Sequence, residues 1–403
     1  MTNIVALIAA TVLNLQTHLI PVKSNEALTN LVMIEQIPMT QAQRAEKAKT
    51  FYEEGYDYFY GISYPVNRTL AVKYFQEAEK LKNADALFFL SIHQQNNGNL
   101  KEAAQAAKRS LELGNEAAKI ILGKIQKDEK LRKEGNTLEL GNEVTKITVG
   151  ETQEYETLMK EGFNALKKKV DSGDMHYSDS LGYAYEFGIG TSFSIKEAMK
   201  YYEMAAKQNN TMGMTNLANL YLRENKLKKA KPLLLKAAEK EYGYAQYLLA
   251  MNFFDLYSEN NKEALFWLER AASNDEPYAL YQLGLYYSEA NDLAKAIKYY
   301  QRAAELNNAD ALLELYYIYG EGVGVEQDDD KALFFLKKAA ELGAQEAIEE
   351  LAAQALSGEG NMDAKEAEYW IKKAGYTEEM LKELDKLQEK SLEMFEKMQK
   401  ENQ

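Results

Sequence analysis

Small and large apolar residues recur along this chain with a helical period, and the recurrence itself repeats. From about residue 50 to residue 375 the form Ala-x-x-x-Leu-Gly-x-x-Tyr, a turn, then Lys-Ala-x-x-x-x-x-x-Ala-Ala returns again and again. Ala198, Ala230, Ala264, Ala296, Ala332 and Ala367 mark one register, at steps of 32, 34, 32, 36 and 35 residues. Seven residues after each stands Ala205, Ala237, Ala271, Ala303, Ala339 or Ala374. Leu217, Leu249, Leu283, Leu315 and Leu351 mark the next helix. Small residues at i and i+7 lie on one helix stripe and let two helices approach closely, while Leu and Tyr fill the space between neighbours. The spacing predicts helical hairpins, nine of them, each unable to bury its apolar face unless it stacks on the next.

The loop inside the hairpin comes in two lengths. Leucine to alanine is 13 residues from Leu90 to Ala103, Leu217 to Ala230 and Leu283 to Ala296, but 17 from Leu181 to Ala198 and Leu315 to Ala332. The longer form carries Gly188-Ile189-Gly190 or Gly322-Val323-Gly324, glycines that let the chain turn through positive φ. The third hairpin opens at Ala118 to Leu122, and its second helix is delayed until about Gly162 to Val170. Within the delay, Thr137 to Leu140 and Glu143 to Val149 alternate around Gly141-Asn142, the pattern of a small β-hairpin. Such a hairpin is marginal by itself and reads as a surface insertion or as a partner-contacting arm. After the ninth unit, Met380, Leu384, Leu387, Phe395 and Met398 share one helix face, as in a terminal cap; a short dimer seam is the other reading. Ile4 to Leu15 is an apolar run too short to span a membrane. It has the length of a secretory signal core without the usual positive residues before it or a clean Ala-x-Ala after it, so signal peptide and N-terminal helix both stay open.

The segment Leu315-Tyr316-Tyr317-Ile318-Tyr319-Gly320-Glu321-Gly322-Val323-Gly324-Val325, with Asp330-Lys331-Ala332 and Lys338-Ala339-Ala340-Glu341-Leu342-Gly343, resembles a Sel1-like repeat. Leu181 to Gly188 with Lys196-Glu197-Ala198 is similar to it, and the shorter units are closer to tetratricopeptide repeats, the sister family. The resemblance covers roughly four-fifths of the chain and implies fold strongly, function only by class. The expected architecture is all-α: a right-handed superhelical solenoid of about nine helix-turn-helix repeats, with the β-hairpin insertion in the third and a C-terminal capping helix. The expected divisions are a non-repeat segment 1–40, repeats over 41–127, the insertion at 128–156, repeats over 157–376 and the cap at 377–403.

Composition narrows the partners. A net charge of −14 with seven arginines disfavours nucleic acid and anionic membrane surfaces, and leaves basic or apolar protein segments. The absence of cysteine removes disulfides, thiolate metal sites and a cysteine nucleophile. His18, His93 and His176 lie in different segments with no metal-ligand spacing and no triad setting. The paired glycines follow no strand and read as repeat turns rather than a nucleotide loop. Asp328-Asp329-Asp330 lacks the rest of a calcium loop and reads as helix N-cap chemistry. No catalytic residue, cofactor or metal is expected.

By the resemblance, the first helix of each unit lines a concave side, with residues two and five positions from the leucine facing it. That geometry selects Tyr244, Tyr247, Met251 and Phe254, then Tyr278, Tyr281 and Leu285, then Leu313 and Tyr317, with Thr215 and Asn219 in the unit before. Tyrosine offers contact area and a polar tip suited to protein partners, though any one ring could equally be structural filler. The expected function is a protein-interaction scaffold or adaptor, monomeric for the most part, with a dimer through the C-terminal helix as the variant. A dedicated inhibitor or immunity protein occluding a basic enzyme is the alternative, and an envelope-associated enzyme or glycan binder a third class.

Overall fold

The computed structural model describes residues 40–63, 65–96, 99–133, 153–258, 261–358, 362–377 and 380. Among the described residues there are eighteen α-helices and no strand, and consecutive helices pair into nine hairpins. The chain forms two compact units, one of residues 1–122 with 157–242, the other of 123–156 with 243–403. The hairpin expected at 137–149, the apolar run at 4–15 and most of the cap at 377–403 lie outside the described residues.

The first unit holds α1 (Gln41–Tyr60), α2 (Arg68–Lys80), α3 (Ala84–Asn96) and α4 (Leu100–Glu112). There follow α5 (Lys119–Lys133), grouped with the second unit from residue 123, α6 (Gln153–Asp171), grouped with the first from residue 157, α7 (Ser178–Phe187), α8 (Ile195–Lys207), α9 (Thr211–Arg223) and α10 (Leu227–Ala238). The third pair, α5 and α6, thus reaches into both ends of the 128–156 segment, where Glu and Lys favour continued helix. The second unit holds α11 (Gly243–Phe253), α12 (Lys262–Ser273), α13 (Pro277–Glu289) and α14 (Leu293–Glu305). It ends with α15 (Ala309–Glu321), α16 (Asp329–Glu341), α17 (Gln345–Ser357) and α18 (Ala364–Lys373).

The repeat is punctuated by one backbone device. Four residues after the second small residue, the chain enters the left-handed region, at Lys82, Gly114, Asn209, Glu241, Asp275, Asn307 and Gly343. The next N–H then folds back onto the carbonyl of the small residue, as in Asn210 N to Ala205 O (3.2 Å) and Asn308 N to Ala303 O (3.0 Å). Asn83, Asn210 and Asn308 at that next position accept from the backbone N–H three residues on, so one residue ends a helix pair and caps the following helix. Asp328 does the same ahead of α16, accepting from Lys331 N at 3.0 Å, which fits the N-cap reading of the aspartate run. That backbone N–H and the Lys331 ammonium hold its carboxyl below the usual range.

The core is alanine where helices touch and leucine or aromatic between them: Ala264, Ala271, Ala303 and Ala339 are buried with Leu268, Leu283, Leu315 and Leu336. One covariation follows from volume. Gly55, Gly182 and Gly284 lie under the rings of Phe75, Tyr202 and Tyr300, where a Cβ would come within 2.8, 2.6 and 2.5 Å. At the same register two other units carry Ala218 and Ala250, opposite Leu234 and Leu268.

Candidate functional site: the first-helix face of the second unit

Charge is sorted by helix in the second unit. Between residues 243 and 377 all eleven Lys and Arg sit on the second helices, for example Lys262 and Arg270 on α12, Arg302 on α14 and Lys337 on α16. The four first helices, α11, α13, α15 and α17, contain no Lys, Arg or His. Their polar positions are carboxylates, amides, phenols and the hydroxyls of Ser288 and Ser357.

The tyrosines singled out from spacing fall into two kinds. Tyr278 and Tyr317 are exposed, at 48% and 43%. Tyr244 is half-buried and makes a three-ring group with Tyr247 and Tyr278, at centroid distances of 6.1, 6.2 and 5.7 Å. Tyr247, Met251, Phe254, Tyr281 and Leu285 are half-buried and lean on the core. Leu313 is buried at 8% and belongs to the core, a departure from the expected lining. In the first unit Thr215 is likewise buried, its hydroxyl bonded to Thr211 O at 2.7 Å; Asn219 is half-buried. Residues two positions before the leucine turn toward the neighbouring helix, so only a ring larger than leucine extends past the core from there.

Carboxylates that the apolar selection passed over stand among these rings. Asp310 and Glu346 occupy the register of Tyr244 and Tyr278, five residues before the leucine, so the spacing already pointed to them. Tyr317 Oη donates to Glu346 Oε1 at 2.8 Å and Tyr316 Oη to Glu350 Oε1 at 3.0 Å. The Glu346 bond, with burial, pushes the Tyr317 phenol up to about 12. Burial, then Glu314, Asp310 and Glu346, push Tyr281 up to about 12. Glu314, half-buried, is itself raised by burial and by Asp310 and Glu346. The phenols therefore keep their protons at neutral pH and serve as donors and ring faces, not as bases.

The remaining candidates have structural surroundings. His93 is half-buried, and burial with the Arg68 charge lowers its pKa. His176 receives the Tyr56 phenol at its backbone oxygen (2.7 Å) and pairs with Asp174 through Nδ1 at 3.1 Å. Gly190 has φ +68° and would place a Cβ 2.2 Å from Met159 O, so its glycine serves a close backbone approach. Among the described residues no group of His, Cys, Asp or Glu is arranged to hold a metal ion, and no helix is long and apolar enough to cross a membrane.

The Sel1 repeat family model matches residues 55–83, 180–210, 243–276 and 309–343, and a tetratricopeptide repeat model matches 277–310. The chain carries Sel1 repeats. A sel1-like repeat-containing protein, L21, of Acanthamoeba polyphaga mimivirus is 29% identical over 124 residues, 31% of this chain and 23% of that protein. The ERAD-associated E3 ubiquitin-protein ligase component HRD3 of Candida glabrata is 36% identical over 108 residues, 25% of this chain and 12% of that protein. The Sel1-repeat chain thus spans less than a quarter of the length of either relative. Among solved structures, a Sel1 repeat protein from Oxalobacter formigenes is similar over 55% of this chain and 93% of that one, at 25% identity and a TM-score of 0.42. The protective antigen c5321 of uropathogenic Escherichia coli is similar over 84% of this chain and 72% of that one, at 22% identity and a TM-score of 0.37.

Proposed function

We propose that the chain is a protein-interaction scaffold whose second unit docks a partner segment along α11, α13, α15 and α17. The observation that carries this reading is the sorting of charge: a helix face without a single basic residue, on which Tyr278 and Tyr317 stand exposed. Tyrosine contributes contact area at low entropic cost, and the surrounding carboxylates favour a basic partner and select against an acidic one. Repeat stacking suits the role, since the same register recurs on successive helices and can meet an extended or helical segment at several points.

Photocrosslinking residues placed at position 278 on the first-helix face and at position 298 on the second-helix face provide the test. The reading expects a discrete adduct in the source cells from position 278, lost when Tyr244 and Tyr317 are replaced by Ala while helicity and melting are retained. An adduct only from position 298 overturns it. Occlusion of a basic enzyme uses the same face and is distinguished by one-to-one stoichiometry and inhibition of that enzyme; no catalytic role belongs to the reading.

A further inference from the structure

The register that Tyr278 holds open in the second unit is covered in the first, and the cover is α1. His176 stands in the register of Tyr244 and Tyr278, and Tyr52 in that of Tyr247 and Tyr281. Here the two registers meet. The Tyr52 ring lies 5.6 Å from that of His176, the Tyr56 phenol donates to the His176 carbonyl, and Asn210 donates to the phenol oxygen. Tyr52, Tyr56 and Tyr60 follow one another by four residues, so they share one stripe of α1. Beyond them Gly61 turns over Thr211, where a Cβ would come within 2.9 Å of Cγ2, and Arg68 of α2 lies over the Tyr242 ring at 5.7 Å. Asn210 and Thr211, at the start of α9, are buried beneath the hairpin.

At the seam lies a carboxyl without a counter-charge. Asp179 is one turn along α7 from His176, is buried, and accepts a single side-chain bond, from Asn216 on α9. Among the described residues no Lys, Arg or His pairs with it. The groups that face it are Tyr56 and Tyr60 from α1, Glu186 from α7, Tyr202 from α8 and Asn216 from α9. The nearby cations are engaged elsewhere: Arg223 with Glu186, His176 and Lys169 with Asp174, Arg68 with the Tyr242 ring. The first-turn position on α7 favours the anion, but burial without a cation outweighs it and raises the carboxyl.

We propose that the α1–α2 hairpin is a clasp that opens when Asp179 gives up its proton, uncovering the starts of α7 and α9. It does not depend on docking in the second unit. Along the stack the hairpin packs only on α3, whereas α9 packs on α7, α8 and α10, so the hairpin is the element most easily lifted. Opening frees the Tyr56 and Tyr60 rings and gives the first unit a face of the kind that the second keeps open. The closed form, with Asp179 raised to about 7, binds the proton more tightly than an open form whose carboxyl meets water and titrates near 4. Opening is therefore rarest below about pH 4, rises by up to about tenfold per pH unit between there and pH 7, and levels off above.

Hydrogen–deuterium exchange of the full chain between about pH 5 and pH 8, each rate divided by the intrinsic rate at that pH, provides the test. Protection of α1 and α2 is expected to fall by roughly 80-fold across the range, and at its upper end to lie below that of α4 and α8. In Asp179→Asn, which can still accept from Asn216 but has no proton to lose, the fall is expected to vanish. Thr211→Cys gives a separate readout in a chain without cysteine. Its labelling by a thiol reagent, divided by that of Ser273→Cys on the exposed surface of α12, should rise over the same range. Protection of α1 that does not change with pH overturns the proposal, as does an equal fall in Asp179→Asn. Equal protection in α1, α4 and α8 at every pH also overturns it, since the unit would then unfold as one body with no clasp. None of these outcomes bears on the position-278 adduct, which tests docking in the second unit alone.

Discussion

The two compact units put the same repeat to opposite uses of tyrosine. In the first, the tyrosines of the opening hairpin are consumed by the fold. Tyr56 and Tyr60 are each 1% exposed, Tyr56 lies against the Phe89 and His176 rings at 5.2 and 4.3 Å, and Asn210 donates to Tyr56 Oη at 3.3 Å. Thr211 Oγ1 reaches Tyr60 O at 2.7 Å, Val66 N donates to Lys240 O at 2.7 Å, and the Lys240 ammonium caps the carbonyls of Gly61 and Ile62. The first hairpin is thereby fastened to residues 120 to 180 positions further along. In the second unit Tyr278 and Tyr317 keep nearly half their surface. Composition does not separate the two cases. What separates them is whether later residues of the same unit reach back to cover the rings.

Breaking the covered side should have the largest effect. Tyr56→Ala removes a fully buried ring and its bonds, and is expected to cost about 3–5 kcal/mol. Tyr278→Ala should stay within about 0.5 kcal/mol. Urea unfolding of the two variants measures the difference, and equal losses would show that the exposed ring is as structural as the buried one.

Asp179 sharpens the comparison through pH. It is 4% exposed beneath the first unit's aromatic layer, accepts from Asn216 Nδ2 at 3.1 Å, and burial pushes its carboxyl up to about 7. A carboxyl raised on folding binds its proton more tightly in the folded state. It therefore takes nothing from stability below the unfolded value near 4, and its penalty grows until about pH 7. Asp179→Asn, which can still accept from Asn216, is expected to stabilise by on the order of 2–4 kcal/mol at pH 8 and by nothing near pH 4. Denaturation midpoints across that range report it; a gain independent of pH would point to packing instead. Glu314 of the second unit is also raised, but it is half-buried and solvent screens it, so Glu314→Gln should show a smaller gain of the same sign.

The twin phenols give the next step down. Tyr202→Phe removes the donor to Oε2 of the buried Glu186 carboxylate, whose Oε1 keeps Arg223, and is expected to cost about 1.5–3 kcal/mol. Tyr300→Phe removes a hydroxyl that has no partner and should be neutral or stabilising by up to about 1 kcal/mol. Parallel melting curves decide it, and a cost for Tyr300→Phe equal to that for Tyr202→Phe would mean that its hydroxyl is satisfied after all.

Much of this was readable from residues alone, because the repeat repeats its own constraints. The alanine and leucine registers placed nine hairpins, and the glycine pairs and the aspartate run fell at turns and an N-cap. The pairing of glycine with a facing ring was also present in the sequence as Gly182 with Tyr202 against Ala218 with Leu234. The site was legible only in part. Periodicity marks which residues share a face, not how far each extends beyond its neighbours, so Leu313 was selected with Tyr247 although only the larger ring passes the core. Selecting for apolar character also hid Asp310 and Glu346, which share a register with the chosen tyrosines. The orphan hydroxyl of Tyr300 depends on a geometry between two helices that no linear spacing encodes.

The smallest effect concerns the hinge that both units share. Lys82 is an exposed lysine held at φ +65°, at the position where Gly114 and Gly343 stand in other repeats. A side chain in the left-handed region costs roughly 1 kcal/mol, whereas glycine enters it freely but loses more entropy on folding. The two terms oppose, so Lys82→Gly should stabilise by only a few tenths to about 1 kcal/mol. Asn307, at φ +61° in the second unit, is a residue type that tolerates this region, and Asn307→Gly should change stability less than Lys82→Gly does. Denaturant midpoints of the two variants rank them. If the asparagine site gains as much as the lysine site, the hinge is selected for backbone freedom alone and not for the side chain that occupies it.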